Sequence, residues 1–286
     1  MLGPPRQVPL SVRLRLLFGG FLNQFGWFFF GFGMIFYWVF YLNADLTSWL
    51  VFQGEVQTAP GQVVRCEATN ASENNVRVYV LDYEFEWDGD TRRGTSYSTG
   101  GTRKKGDSVT VEFPEGRAEK SRIEGMRRFQ FGPAAGLVLI FPLVGFAFVA
   151  SGMRRGRRII RLLKQGELAA GNLVSQEKTT MEVNRQPVIK YTFEFEAPGQ
   201  GTYQCIAKTY LTETLTKTLT DDEHEPLIYR PANPNDAMML DYLPGKPSID
   251  EQGNVILRRS ASTLILLIVP TLSLAGHIGY GLWRYG

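Results

Sequence analysis

The chain has 286 residues, room for two compact domains, with 31 Lys and Arg against 28 Asp and Glu and a formal net charge of +3. Only Cys66 and Cys205 are present, which excludes a disulfide framework and a thiol metal cluster; two histidines, His224 and His277, leave little for metal or acid–base chemistry. The mean hydropathy of −0.13 hides strong segregation, because nine of the nineteen phenylalanines fall between Phe18 and Phe40 while the charges lie elsewhere.

Residues 1–15 read as a cytoplasmic tail and residues 16–42, LLFGGFLNQFGWFFFGFGMIFYWVFYL, as the first transmembrane helix. A helix of that length reaches about 40 Å, more than the roughly 30 Å hydrocarbon core. Tyr37, Trp38 and Tyr41 suit its interfacial end. The run is too long for the apolar region of a signal peptide, and no small-residue cleavage site follows it. Gly19, Gly26 and Gly33 recur every seven residues with Asn23 on the same stripe. Small residues let helices approach closely and an amide bonds across the contact. Two kinds of partner fit this stripe: the chain's own later spans, or a second copy or other membrane protein.

Residues 43–132 read as an extracytoplasmic β-domain, and residues 133–151, apolar and uncharged, as a second span. A basic run follows at once: Arg154, Arg155, Arg157, Arg158, Arg161 and Lys164. Cations accumulate on the cytoplasmic flank of spans. Arg6, Arg13 and Arg15 before the first span and Arg258–Arg259 before the third agree with it, and Arg127–Arg128 oppose it. The implied topology is N-terminus inside, 43–132 outside, 152–260 inside and C-terminus outside. Residues 152–170 are predicted as a basic amphipathic helix that turns Ile159, Ile160, Leu162 and Leu163 toward the inner leaflet while its cations meet anionic headgroups. No aromatic residue interleaves these arginines, so no nucleic-acid partner is expected. A cytoplasmic β-domain at 171–257 and a third span at 261–283 complete the chain; Pro142 and Pro270 are expected to kink the second and third helices.

The two long polar segments look like copies of one another. VRVYVLDYEFEWDGDTRRGTSYS (76–98) and RQPVIKYTFEFEAPGQGTYQC (185–205) each alternate aromatics, turn on a glycine and begin a second strand. SVTVEFPEGRAEKSRIEG (108–125) then aligns with EPLIYRPANPNDAMMLDYLPG (225–245), with Phe113 opposite Tyr229; Tyr83 is aligned with Tyr191, and GEVQ (54–57) with GNLVS (171–175). The expected architecture is therefore an α+β membrane protein with three transmembrane helices and two small antiparallel β-barrels or sandwiches of the SH3 or OB kind, related by internal duplication. Gly171, Tyr191, Phe193, Gly201, Tyr203, Tyr229, Pro231, Asn233 and Pro234 form a G-x-V, Y-x-F, Gly-turn-aromatic, Y-x-P-x-N-P pattern. Over about 155–245 this resembles a bacterial integral-membrane family catalogued as a domain of unknown function, and it resembles that family only weakly over 50–152, where FPEGR replaces YRPANP. The resemblance implies a β-domain bordered by transmembrane helices and implies no activity.

Little chemistry is legible. The acidic run Asp221–Glu225 reads as a solvated turn, since adjacent residues cannot all converge on one ion. His277, near the outer end of the third span, reads as an interfacial histidine, with a proton relay as the sharper alternative. No nucleophile–histidine pair, spaced carboxylates or phosphate-cradle motif is present. The expectation is a multi-pass protein of the cytoplasmic membrane, partnered by anionic inner-leaflet lipid, acting as a binding, assembly or scaffolding module with no cofactor and no enzymatic activity. The alternative is a small transport component using His277; a membrane-embedded enzyme stands further off.

Overall fold

The computed structural model describes residues 3–183, 185–209, 225–243, 245–257 and 263–286. It is α+β, with five α-helices among the described residues: α1 (Leu10–Phe18), α2 (Phe21–Val39), α3 (Leu46–Val51), α4 (Ile140–Gln165) and α5 (Ile268–Tyr285). With the 3-10 turns that extend them, the helical segments Phe21–Asn43, Pro133–Gln165 and Thr263–Tyr285 are long and apolar enough to cross a membrane. Their side chains are largely bare: Phe21 is 80% exposed, Leu137 76% and Trp283 80%. The chain forms two compact units, one of residues 29–144 and one of residues 1–28 with 145–286.

The first unit holds an antiparallel sheet of β1 (Val56–Glu73), β2 (Val76–Trp87), β3 (Asp90–Thr99), β4 (Ser108–Pro114) and β5 (Arg122–Ile123), in the order β3-β2-β1-β4-β5. Its alternation places Val63, Leu81, Tyr83, Phe85, Val111, Phe113 and Ile123 in one core. The two end strands approach each other: Ser96 Oγ on β3 accepts from Ile123 N on β5 at 2.8 Å. Asp45 starts α3, with Oδ1 accepting from Ser48 N at 3.1 Å and Oδ2 from Arg128 N at 2.8 Å.

The second unit holds β6 (Glu167–Val183), β7 (Gln186–Ala197), β8 (Gly201–Thr209), β9 (Glu225–Arg230) and β10 (Asn233–Met239), in the order β10-β9-β6-β7-β8, with a separate hairpin of β11 (Pro247–Ile249) and β12 (Val255–Leu257). Read from the other edge, this is the strand order of the first sheet. The ladders agree residue by residue: Val63 faces Tyr83 where Leu173 faces Phe193, and Glu73 faces Val76 where Val183 faces Gln186. Register breaks fall between 63 and 65 and between 68 and 72 in β1, and between 173 and 175 and between 178 and 182 in β6. Inside the second break, Thr69 Oγ1 donates to Val78 O at 2.8 Å, and Thr179 Oγ1 to Val188 O at 2.8 Å.

This register corrects two of the expected alignments. Phe113 does match Tyr229, since they face Gln57 and Glu167 at equivalent places. Tyr83, however, matches Phe193, and Tyr191 matches Leu81; the error is two residues, which leaves every ring on the core face because the pleat repeats every two. The partner of Gly171 is Gly61 rather than Gly54. A Cβ at Gly61 would lie 2.7 Å from Val111 Cγ2, and one at Gly171 2.8 Å from Leu227 Cδ2, so both strands need glycine where β4 or β9 crosses closely.

The helices also depart from expectation. Residues 16–42 are not one helix, because the chain breaks at Gly19–Gly20, with Gly20 at φ +85°. The expected tail instead supplies most of α1; Val12 and Leu16 of α1, with Val8 just before it, pack in one core with Ile159, Leu162 and Leu163 of α4 and Ile228 of β9. The apolar face of the basic helix is thus covered by its own chain and is not free to enter a leaflet. Arg6, ahead of α1, is 6% exposed; its Nη1 donates to Gly166 O at 2.5 Å and its N donates to Lys164 O at 2.8 Å, satisfying carbonyls at the α4 C-terminus. At each expected proline kink the chain changes from 3-10 to α geometry. Pro142 and Pro270 both fall in the first turn of α4 and α5, directly after 3-10 turns at Pro133–Leu139 and Thr263–Leu267, so each proline sits where the hydrogen-bonding pattern changes.

Candidate functional site

The six basic residues separate by helical spacing. Arg154, Arg157, Arg158 and Arg161 stand at i, i+3, i+4 and i+7, one stripe of α4, while Ile159, Leu162 and Leu163 form the buried stripe. The arginine stripe walls an open concavity of about 540 Å³, closed on its other side by Arg230, Asn233, Asn235 and Asp236. Arg155 and Lys164 lie outside it; Arg155 instead borders smaller hollows beside Gly152 and beside Cys205.

Asp236 organises this wall. Strand alternation on β10 buries Pro234 and Asp236 and turns Asn233 and Asn235 outward. Arg158 Nε donates to Asp236 Oδ1 at 2.6 Å, while Arg230 donates to Oδ2 from Nε at 3.0 Å and again from Nη2. Burial would raise the Asp236 carboxyl, but the bonds from Arg158 and Arg230 outweigh it and hold it below the usual carboxylate range. Arg154, Arg157 and Arg161 have no ion-pair partner among the described residues. Five guanidiniums therefore share one carboxylate, and the surplus positive charge faces solvent.

Arg230, Asn235 and Asp236 were not singled out from the sequence, although they sit inside YRPANPND beside Tyr229, Pro231, Asn233 and Pro234. Tyr191, Phe193 and Tyr229 serve the sheet core, and Tyr229 Oη donates to Glu167 Oε2 at 2.8 Å; burial, then Glu167, pushes the phenol up to about 12. Pro231 O accepts from Gln200 Nε2 at 3.1 Å, bracing the turn before Asn233.

The glycine stripe is used within the chain. A Cβ at Gly26 would lie 2.9 Å from Phe148 Cβ, and one at Gly33 2.6 Å from Pro142 N. Asn23 is buried against Gly152 and donates to Leu17 O across the α1–α2 break; Gly19 lies at the break itself, against Arg15 of its own α1. His277 is half-buried on α5. Of the acidic run Asp221–Glu225, all but Glu225 lies outside the described residues, as do Arg258 and Arg259; Glu225 is buried at the start of β9. No group of three or more metal-ligating side chains occurs among the described residues.

No family model and no curated protein matches the chain. One solved chain, from a replication protein A heterotrimer bound to single-stranded DNA, aligns at 11% identity over 74% of this chain and 51% of its own length, so this chain spans about half of it. The TM-score of 0.17 is too low for that likeness to carry any statement about fold or ligand.

Proposed function

We propose that the chain is a multi-pass protein of the cytoplasmic membrane, with its N-terminus inside and its C-terminus outside, in which three spans hold two copies of one small SH3- or OB-like barrel. It acts as a binding, assembly or scaffolding module, and its basic helix contacts anionic inner-leaflet lipid. The reading rests on three long helices whose large apolar side chains are bare. In water such surfaces would be aggregation sites; in lipid they are the required surface. Matching strand order and matching register breaks support duplication, and the likeness to bordered β-domains of unknown function supports the plan. Arg127, whose position opposes the proposed orientation, is bound by Glu73 at 2.7 Å, which leaves the unmatched cations of α4 as the stronger signal.

Cysteine labelling tests the topology. The natural thiols are poor probes, because Cys205 is 2% exposed and burial pushes its thiol up to about 11. In a Cys66→Ser, Cys205→Ala background, the exposed Lys105→Cys is expected to react with an impermeant maleimide on intact cells, and Lys178→Cys only after permeabilisation. Reaction of both from outside would overturn the single crossing by α4.

A further inference from the structure

The concavity between α4 and the β9–β10 turn is built more specifically than a topology signal requires. Flank cations need only be numerous and near the span. Here one buried carboxylate holds Arg158 and Arg230, each from different secondary structure, and three further positive side chains share the same hollow. Asp236 engages Arg158 through Nε alone, so the two terminal nitrogens of that guanidinium make no other hydrogen bond among the described residues. Like charges gathered this closely are unfavourable unless an anion joins them. The planar guanidinium fork matches tetrahedral oxyanions, with two parallel N–H donors per oxygen pair. Asn233 and Asn235 add neutral amides at the rim. No aromatic residue lines the hollow among the described residues, so nothing there would stack a base.

We propose that this concavity binds a phosphomonoester or diphosphate group, a phosphate carrying about two or more negative charges. The group comes from a lipid headgroup or from a soluble phosphate compound; the recognition chemistry is the same. A singly charged phosphodiester would leave most of the surplus charge unmatched. The site stands on the geometry of its own unit, and only its lipid source depends on the proposed membrane topology. Pyrophosphate binding with failed topology labelling, or the reverse, would therefore separate the two readings.

The test uses the full chain in nanodiscs. Pyrophosphate is titrated into neutral phosphatidylcholine discs, and association with phosphatidic acid is compared with association with phosphatidylglycerol. Arg154→Gln/Arg157→Gln/Arg161→Gln removes three side chains without ion-pair partners among the described residues, and retained thermal unfolding checks that the fold survives. It is expected to weaken binding about a hundredfold or more, since each lost contact is a charge-assisted bond. The triple lysine variant keeps the charge, and with it the topology signal, but loses the forks; a weakening of about tenfold is expected. Arg103→Gln/Lys104→Gln/Lys105→Gln, on an exposed loop of the first unit, is expected to change nothing. Arginine-dependent pyrophosphate binding supports a soluble source, and arginine-dependent preference for phosphatidic acid alone supports a lipid. Absence of arginine-dependent binding in both arms, equal binding of phosphatidylglycerol and phosphatidic acid without pyrophosphate binding, or equal loss in the loop variant would overturn the proposal.

Discussion

The two sheets share strand order, register breaks and a matched aromatic pair, yet they use their outer faces differently. Phe85 packs on Phe113 with ring centroids 5.6 Å apart, and Phe195 packs on Tyr229 at 5.2 Å, in equivalent positions. One residue along the same strands, Glu112 corresponds to Ile228. Glu112 meets Arg122 at 2.5 Å, with the Arg122 guanidinium 3.9 Å from the centre of the Phe52 ring. Ile228 is buried with Leu162, Leu163 and Val12. The inward face is thus constrained by a small core, whereas the outward face carries an ion pair on the first sheet and, on the second, Leu168, Ile228 and Met238 packed in one cluster with α4. That packing brings α4 beside β9 and β10 and lets its arginines reach Asp236. On the first sheet the equivalent strand position carries the Glu112–Arg122 pair instead.

The sharpest way to break the equivalence is to remove matched core rings. Tyr83→Ala and Phe193→Ala are each expected to cost about 3–5 kcal/mol, comparable to a small domain's whole margin. Amide hydrogen exchange on the full chain in detergent is expected to show each sheet losing protection separately. Protection lost in both sheets from either change would mean one cooperative unit rather than two. Tyr191→Ala and Tyr229→Ala are expected to fall in the same range and to act on the second sheet alone.

Next in size are the paired glycines. Gly61→Ala and Gly171→Ala would each press a methyl into the crossing strand, and about 1–3 kcal/mol of destabilisation is expected for both. A tolerated change at one site and not the other would break the match at that strand.

Deleting hydroxyls should separate the two sheets where the truncations unite them. Tyr83 Oη donates to Ser121 Oγ at 2.9 Å, so Tyr83→Phe is expected to cost about 1 kcal/mol in thermal unfolding. Tyr191 Oη is buried without a partner among the described residues, so Tyr191→Phe is expected to be neutral or stabilising. Equal losses from the two changes would contradict the two-residue offset, which gives the tyrosines different surroundings.

The smallest effect is acid dependence of the Asp236 clasp. Its folded pKa lies below the unfolded value of about 3.9, so the contribution is present above that pH and lost as pH falls through the lowered folded value. Arg158 and Arg230 are about half and one-third exposed, so under about 1 kcal/mol is expected. Asp236→Asn should flatten the second sheet's exchange protection as pH falls below about 4, while the first sheet's profile stays as it was.

Much of the local structure was legible beforehand because it is periodic. Alternation in VRVYVLDYEFEW and QPVIKYTFEFEA specifies strands with a buried aromatic face whatever surrounds them. The Tyr83–Tyr191 alignment failed because a two-residue slip preserves that alternation. The hydrogen-bond register decided it, and register breaks near 64 and 174 leave no compositional mark. The glycine stripe likewise predicted close helix approach, but composition alone could not name α4 as the helix that takes Gly26 and Gly33.

From the sequence itself followed three apolar segments of spanning length, two strand-rich segments of matching pattern and a run of cations beside one apolar segment, because each depends on local composition and spacing. Tertiary structure decided where those features meet. Ile159, Leu162 and Leu163 read equally well as a lipid-facing or a protein-facing stripe, since lipid and a protein core are alike apolar. Only folding placed α1, β9 and the Leu240–Tyr242 turn over them. It also brought Arg230 and Asp236, far along the chain, against the arginine stripe, and that convergence of charge cannot be read from any single stretch of residues.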